Sequence, residues 1–465
     1  MSTSEHAGKI RRRHFVQGAA ALGAGAALTL PPGPAAAAVS AGLGGPPVLR
    51  GNRFDLRLDR IAINKSGTPT WANAINGIVP GPVLHWQQGD VVTLNVTNNL
   101  PELTGVHWHG IILPNPMDGV PGMEFPGIQP GETFTYRFPV LQSGTYWYHS
   151  HMGYQEQKGV YGALVIEPDG EPLIKADRDY TVVLSDWMDG SPLLAQNNLK
   201  HMSDYYNFNR RTIGTFISDV QQSGFGATVK ERTMLAERRL DPSGVNQPTG
   251  ALFTYLMNGL PASANWTGLF RPSERVRLRF INTSAQTYYD VSIPGLTMSV
   301  VHVHGNDVVP VPVDQFRIGV AETYDVIVQP REDRAYTIFA QSLSRSGYVR
   351  GTLAPRPGMQ APIPPMDVAP MRTVTDIGTP HMMPEQIGAS NADRTRIDGI
   401  KGTLFGKPTP TEKARRAGEQ PTVALPAETK ALKAGVESQY ILKWRQSGSI
   451  ALATAWITSP AVAAS

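Results

Sequence analysis

Short segments in which apolar and polar residues alternate recur along this chain, and that pattern constrains its fold more than any other feature. In Asp90-Val91-Val92-Thr93-Leu94-Asn95-Val96-Thr97, the residues Val92, Leu94 and Val96 fall at period two, with Thr93, Asn95 and Thr97 between them. Successive side chains of a strand point to opposite faces, so this segment predicts a strand with one buried and one wet face. Glu274-Arg275-Val276-Arg277-Leu278-Arg279-Phe280-Ile281-Asn282 echoes it, with an acidic start, an alternating strand and an Asn-containing exit. Such strands, divided by Gly/Pro/Asn turns, run from Phe54 to about Pro168 and again from about Asp179 to Gly351. The echo predicts two units of one all-β fold, each a sandwich. A chain of 465 residues is too long for one ordinary core, which agrees with two to four domains.

Two stretches depart from this period. Ile213, Phe216, Ile217 and Val220 recur at helical spacing, so residues 200–240 read as helices inserted into the second unit, with their apolar stripe packed into its core. Pro355, Pro357, Pro362, Pro364, Pro365 and Pro370 mark a linker. From about 376 to the end, alternation and aromatics fade, and no third sandwich is legible. Lys413, Arg415, Arg416, Lys430 and Lys433 among Ala and Pro, then Ile450-Ala451-Leu452-Ala453, have the look of translation in a shifted frame, with a divergent natural tail as the alternative.

The N-terminus reads as a targeting signal. Arg11, Arg12 and Arg13 precede an Ala/Gly-rich apolar stretch that ends in small residues near Ala38 or Ala41, the pattern of a twin-arginine signal. Pro31, Pro32 and Pro34 interrupt the stretch, which is too short for a good membrane span, and no later segment suits one. This predicts a periplasmic protein without a membrane span. Of the formal charge of +4, residues 1–38 hold +3 (Lys9, Arg11, Arg12 and Arg13 against Glu5). The rest is near neutral, which argues against nucleic acid as a partner.

Cysteine is absent altogether, which excludes disulfides, a thiol nucleophile and a thiolate metal ligand. Histidine is arranged very differently. His107-Trp108-His109 and His149-Ser150-His151 each place two imidazoles at i and i+2, on one face of a strand. Neutral imidazole suits copper, and two such pairs brought together would hold it. Histidines in strands are also often only hydrogen-bonded. A third pair, His302 and His304, is read as structural or surface, with metal binding on one strand face as the alternative. His381-Met382-Met383, with Met117 and Met123, offers soft thioethers for Cu(I), although methionines this scattered more often pack.

The surrounding residues carry a resemblance. Asn76-Gly77-Ile78-Val79-Pro80-Gly81-Pro82, His107-Trp108-His109-Gly110 and Gly144-Thr145-Tyr146-Trp147-Tyr148-His149-Ser150-His151 resemble the first cupredoxin domain of a multicopper oxidase. Met117-Asp118-Gly119-Val120-Pro121-Gly122 and Gln155-Glu156-Gln157-Lys158-Gly159-Val160-Tyr161-Gly162 are similar to the copper-resistance branch of that family, and Tyr255-Leu256-Met257-Asn258-Gly259 and Val320-Ala321-Glu322-Thr323-Tyr324-Asp325 continue the likeness. It spans roughly residues 47–375 and implies tandem cupredoxin-like Greek-key β-sandwiches with a helical insertion in the second. The implied layout is a signal peptide over 1–40, a copper-ligating domain over 47–170, a copper-free spacer over 175–355, and a linker and irregular tail over 356–465.

In that family an oxygen-reducing trinuclear copper cluster takes histidine pairs from the first and third domains. The resemblance implies that His107 serves the type 2 copper, that His109 and His149 share one type 3 copper, and that His151 serves the other. It also implies one-electron oxidation of phenols or Cu(I) coupled to reduction of O2. The family's third-domain motifs, His-X-X-His-X-His and His-Cys-His, do not occur after residue 355. Without a cysteine no type 1 site forms, so half of the cluster's ligands and its electron entry are missing from this chain. Two rival readings follow: a non-catalytic copper-sequestering protein that uses the two pairs alone, and a copper-free structural cupredoxin-fold protein. In the internal repeat, Tyr288-Tyr289-Asp290-Val291-Ser292 stands in the place of His107–His109 and carries no histidine.

Overall fold

The computed structural model describes residues 39–40, 42–237, 241–245 and 250–372. The signal reading and the tail reading, including His381-Met382-Met383, fall essentially outside these residues. The strand Val91–Asn98 follows the predicted alternation: Val92, Leu94 and Val96 are fully buried, while Thr93, Asn95 and Thr97 are only half-buried. It runs antiparallel to Thr133–Pro139 and parallel to Arg53–Asn64, with Pro69–Ile75 at the far edge of this four-stranded sheet. A facing five-stranded sheet takes Val48–Arg50, Val83–Gln87, Tyr161–Glu167, Gly144–His149 and His107–His109 in that order. Parallel neighbours separated in sequence require crossovers between the layers, as a Greek key does. Between the sheets lie Phe54, Leu56, Trp86, Trp108, Tyr136, Phe138 and Tyr148, each buried, with Trp86 5.8 Å from Trp108 between ring centres.

The second sandwich repeats the plan on a larger scale. Its eight-stranded sheet is built around Arg178–Trp187, Val276–Asn282, Thr323–Val328 and Met298–Val303, and its five-stranded sheet around Trp266–Leu269, Tyr348–Ala354, Tyr336–Ser342 and Tyr289–Ser292. Chain 358–372 lies back across the five-stranded sheet, where Gln341 and Asp367 exchange hydrogen bonds and Thr337 donates to the Pro362 carbonyl. Three helices, α1 (Pro192–His201), α2 (Ile213–Ser223) and α3 (Phe225–Glu237), form the expected insertion. Their packing corrects the sequence reading. Ile213 is 82% and Ile217 55% exposed, and α2 buries no residue, because it leans on α3 through Phe216 and Phe225 and not on the sandwich.

The strand Val276–Asn282 also departs from its echo. Its polar positions Arg277 and Arg279 correspond to the wet face of Val91–Asn98, yet every residue of the strand is buried. The reason is that this face meets the first sandwich. Arg279 grips both oxygens of Asp179 at 2.7 and 2.8 Å, Arg277 reaches Asp325 at 3.0 and 2.5 Å, and Thr145 of the first sandwich donates to Asp325 at 3.0 Å while accepting from Arg279 at 2.9 Å. Burial by itself would raise the Asp325 carboxyl, but Arg277 and Arg279 hold it below the ordinary range. Around this polar centre an apolar seam closes, including Val79, Val83, Trp147, Val183, Trp187 and Ile281. Lys65 crosses it, donating to the carbonyls of Val79 and Gly259.

Removing one partner of a buried ion pair strands the other charge, at a cost of about 3–5 kcal/mol. Asp325→Ala should therefore lower stability by about that amount in a urea titration of the folded chain. A midpoint unchanged from the parent's would show that the lock does not hold the two sandwiches together.

Candidate metal centre

The five-stranded sheet of the first sandwich ends in the three-residue edge strand His107–His109, which pairs antiparallel with Gly144–His149. The register sets His107 opposite His149, Trp108 opposite Tyr148 and His109 opposite Trp147. Trp108 and Tyr148 enter the core, so alternation turns His107, His109, Trp147 and His149 together onto the opposite face. His151 lies two residues past the strand end and is exposed, but its ring still comes to 4.7 Å from His149 and 4.8 Å from His107. All four predicted histidines thus converge. Ligand atoms of His107, His109 and His149 lie within 4.8 Å of one another, the one such group among the described residues.

Each ring is oriented by a partner. His107 Nδ1 donates to the Asp118 carbonyl at 2.9 Å, which leaves Nε2 with its lone pair. His149 Nδ1 is engaged by the Glu156 carboxyl, so its Nε2 is the free nitrogen, and it faces His109 Nδ1 at 3.2 Å. The Trp147 indole stacks on His149 at 3.8 Å and 13°, and on His109 at 4.9 Å and 28°. Two imidazole nitrogens bound to one ion at about 2.0–2.1 Å each would stand at a separation of this size. The donor set therefore fits a metal that prefers imidazole, copper among them.

The electrostatics agree. Burial, then the neighbouring imidazoles, push His109 down to about 3, and burial, then His107, push His149 down to about 3. His151 is lowered by the same causes. At neutral pH these rings are unprotonated and available as ligands, and protons compete poorly for them. Burial pushes Glu156 up to about 7, so a cation nearby would convert it to the carboxylate that holds His149 Nδ1–H most firmly.

The sequence reading missed three contributors: Glu156, the Asp118 carbonyl and the stacking role of Trp147. Only the tandem register exposes Trp147 as a neighbour of both rings. Nothing in the spacing marks Glu156, which a loop pinned by Gln155 to Thr104 and Ser150 carries back to His149. The pair His302 and His304 does not share a strand face. His302 is buried, 3.8 Å from Asp325, whereas the strand ends at Val303 and His304 sits in the following turn at φ +49°. On the outer face of the second sandwich, Asp290 is held by Arg317 and Arg345, with Gln341 opposite it in register.

Losing a partner that orients a ligating imidazole typically weakens metal binding about 10–100-fold. Glu156→Ala should raise the copper dissociation constant by about that factor in a competition titration while leaving the thermal transition of the apo chain in place. An unchanged constant would remove Glu156 from the site.

Models of the multicopper oxidase family match residues 58–171 and 178–356. The chain is 52% identical over 350 residues to copper resistance protein A of Escherichia coli, covering 75% of this chain and 58% of that protein. It is 52% identical over 367 residues to copper resistance protein A of Pseudomonas syringae pv. tomato, covering 79% and 60%. Among solved structures, the laccase from Botrytis aclada superposes with a TM-score of 0.52 at 26% identity, covering 70% of this chain and 56% of that one. The chain spans about three fifths of the length of these curated relatives. Most of both sandwiches, and with them the four-histidine face, fall within the matched residues, and the chain belongs to the multicopper oxidase family.

Proposed function

We propose that this chain binds copper through His107, His109, His149 and His151 and acts in copper resistance as a multicopper oxidase. The convergence of four imidazoles, with the proton affinities of His109, His149 and His151 lowered by burial and crowding, carries the reading. His109 and His149, whose facing nitrogens stand 3.2 Å apart, would share one type 3 ion, with His107 on the type 2 ion and His151 on the second type 3 ion. Copper so held supplies one-electron chemistry, the oxidation of Cu(I) or a phenol coupled to reduction of O2. The protein's own part is to present neutral nitrogen lone pairs, to fix their directions through Glu156, the Asp118 carbonyl and Trp147, and to shelter His149 from water.

The chain has no cysteine, so it carries no thiolate for a type 1 ion, and its four histidines are half of a trinuclear set. The grouping of these imidazoles within the first sandwich alone also suits a second reading, copper sequestration without turnover. The Arg11-Arg12-Arg13 leader supports export to the periplasm by the twin-arginine route. No helix among the described residues is long and apolar enough to cross a membrane.

Metal analysis, a visible spectrum and O2 uptake on the purified chain separate these readings. We expect bound copper that is mostly lost in the double variant His107→Ala/His149→Ala, since each change breaks one chelating pair. We also expect no intense thiolate-to-copper band and negligible unaided phenol oxidation. Copper content unchanged in the double variant would overturn the site, and a blue, self-sufficient oxidase would overturn the assignment of its electron supply. Replacing both Arg12 and Arg13 with Lys should hold the precursor in the cytoplasm, because that route distinguishes guanidinium from ammonium. Mature protein in the periplasm at the usual level would point to another route.

A further inference from the structure

The hairpin Met298–Val303/Asn306–Val313 closes through a two-residue turn, His304-Gly305, with φ of +49° and +79°. Turns with positive φ at both positions favour Asn-Gly, Asp-Gly or Gly-Gly, since an ordinary side chain is strained there. Histidine is among the residues that accept this conformation, so the turn admits the imidazole and leaves its ring at the tip of the hairpin. A register shift between Val300 and His302 bends the hairpin, and its tip lands on the strand that carries His149. Tyr146 Oη lies 3.3 Å from the Gly305 carbonyl, and a Cβ on Gly305 would come within 2.1 Å of that oxygen. A Cβ on Gly110 would come within 3.0 Å of the same ring. One tyrosine ring thus touches both the residue after His109 and the residue after His304.

His304 is not enclosed. Its side chain is 31% exposed, and Glu322, 34% exposed, brings Oε1 to 3.6 Å from its Nε2. Glu322 is fixed in turn, because its other oxygen accepts the Gly319 N–H at 2.6 Å. The result is one nitrogen and one oxygen donor, open to solvent on the second sandwich, at the hairpin tip that packs on the strand carrying His149. An imidazole with a carboxylate suits Cu(II) better than Cu(I), and two protein donors leave room for water ligands, which makes for weak, rapidly exchanging binding. The four-imidazole face offers more donors and stronger retention.

We propose that His304 and Glu322 form an entry station for Cu(II) at the seam, which takes the hydrated ion from solvent and passes it by ligand exchange to His109. This rests on the reading of the four-histidine face as a copper site. An ion pair with only a surface role would leave copper uptake untouched.

The test is uptake of Cu(II), added as the simple salt, by the copper-free full chain. Quenching of tryptophan fluorescence gives the rate, and metal analysis after equilibration gives the final content. His304→Asn keeps a residue that tolerates the turn's positive φ while removing the imidazole. Glu322→Gln keeps an acceptor for Gly319 while removing the charge. Each variant should load several-fold more slowly, and the double variant no more slowly than the worse single one, with final copper content equal to the parent's. Parent-like rates in both variants would overturn the station while leaving the four-histidine site intact. A lower final content in His304→Asn would overturn it too, by making His304 a permanent ligand. If the parent itself takes up no copper, the reading of the site fails first, and the station fails with it.

Discussion

The buried charge lock at the seam is the constraint on which the rest of the structure depends. Asp325, Arg277, Arg279 and Asp179 are all withdrawn from water, and such charges are tolerated only when each meets a partner in good geometry. Thr145 completes that set from the other sandwich. It lies on the strand Gly144–His149, so satisfying the lock sets the position of that strand against the second sandwich. Two residues further along is Trp147, packed in the apolar seam, and two further again is His149. The alternation of one strand thereby ties an ionic contact, a hydrophobic contact and a proposed metal ligand into a single row.

The seam also explains how the imidazoles come to be neutral. Desolvation is the leading cause of the depressed proton affinity of both His109 and His149, and it comes from packing against Trp147 and the strand's own buried surroundings. Crowding four imidazoles together adds to it, since a proton on any one disfavours a proton on the next. A cluster of this kind is costly in acid and ready for a cation near neutrality. Glu156 fits the same scheme: a carboxyl whose charge is suppressed while the site holds no cation becomes a firm acceptor once one arrives.

Much was legible in the sequence because it follows from local backbone geometry. Period-two alternation in Val91–Asn98 identified a half-buried strand, and the i, i+2 spacing of His107 and His109 placed that pair together, since neighbouring side chains in a strand point to opposite faces; His151 lies past the end of its strand and meets His149 through the chain that follows. The absence of cysteine excluded a thiolate site without any structure. The all-β sandwiches and the helical insertion could be read for the same reason: each rests on a repeat within a dozen residues or so.

What the tertiary structure decided involves residues far apart in the chain, for which spacing carries no information. Arg277 and Arg279 read as a wet face and are buried, because the packing of one sandwich on the other, and not the strand's own pattern, determines what lies beyond that face. Ile213 and Ile217 read as core and are exposed, because periodicity shows that a helix has an apolar side but not what will cover it. Glu156 reaches His149 through a loop anchored at Thr104, and His304 reaches the neighbourhood of His109 through a bent hairpin across the seam. The sequence by itself determined which side chains share a strand face; only the packing of the sheets decided which of those faces would meet.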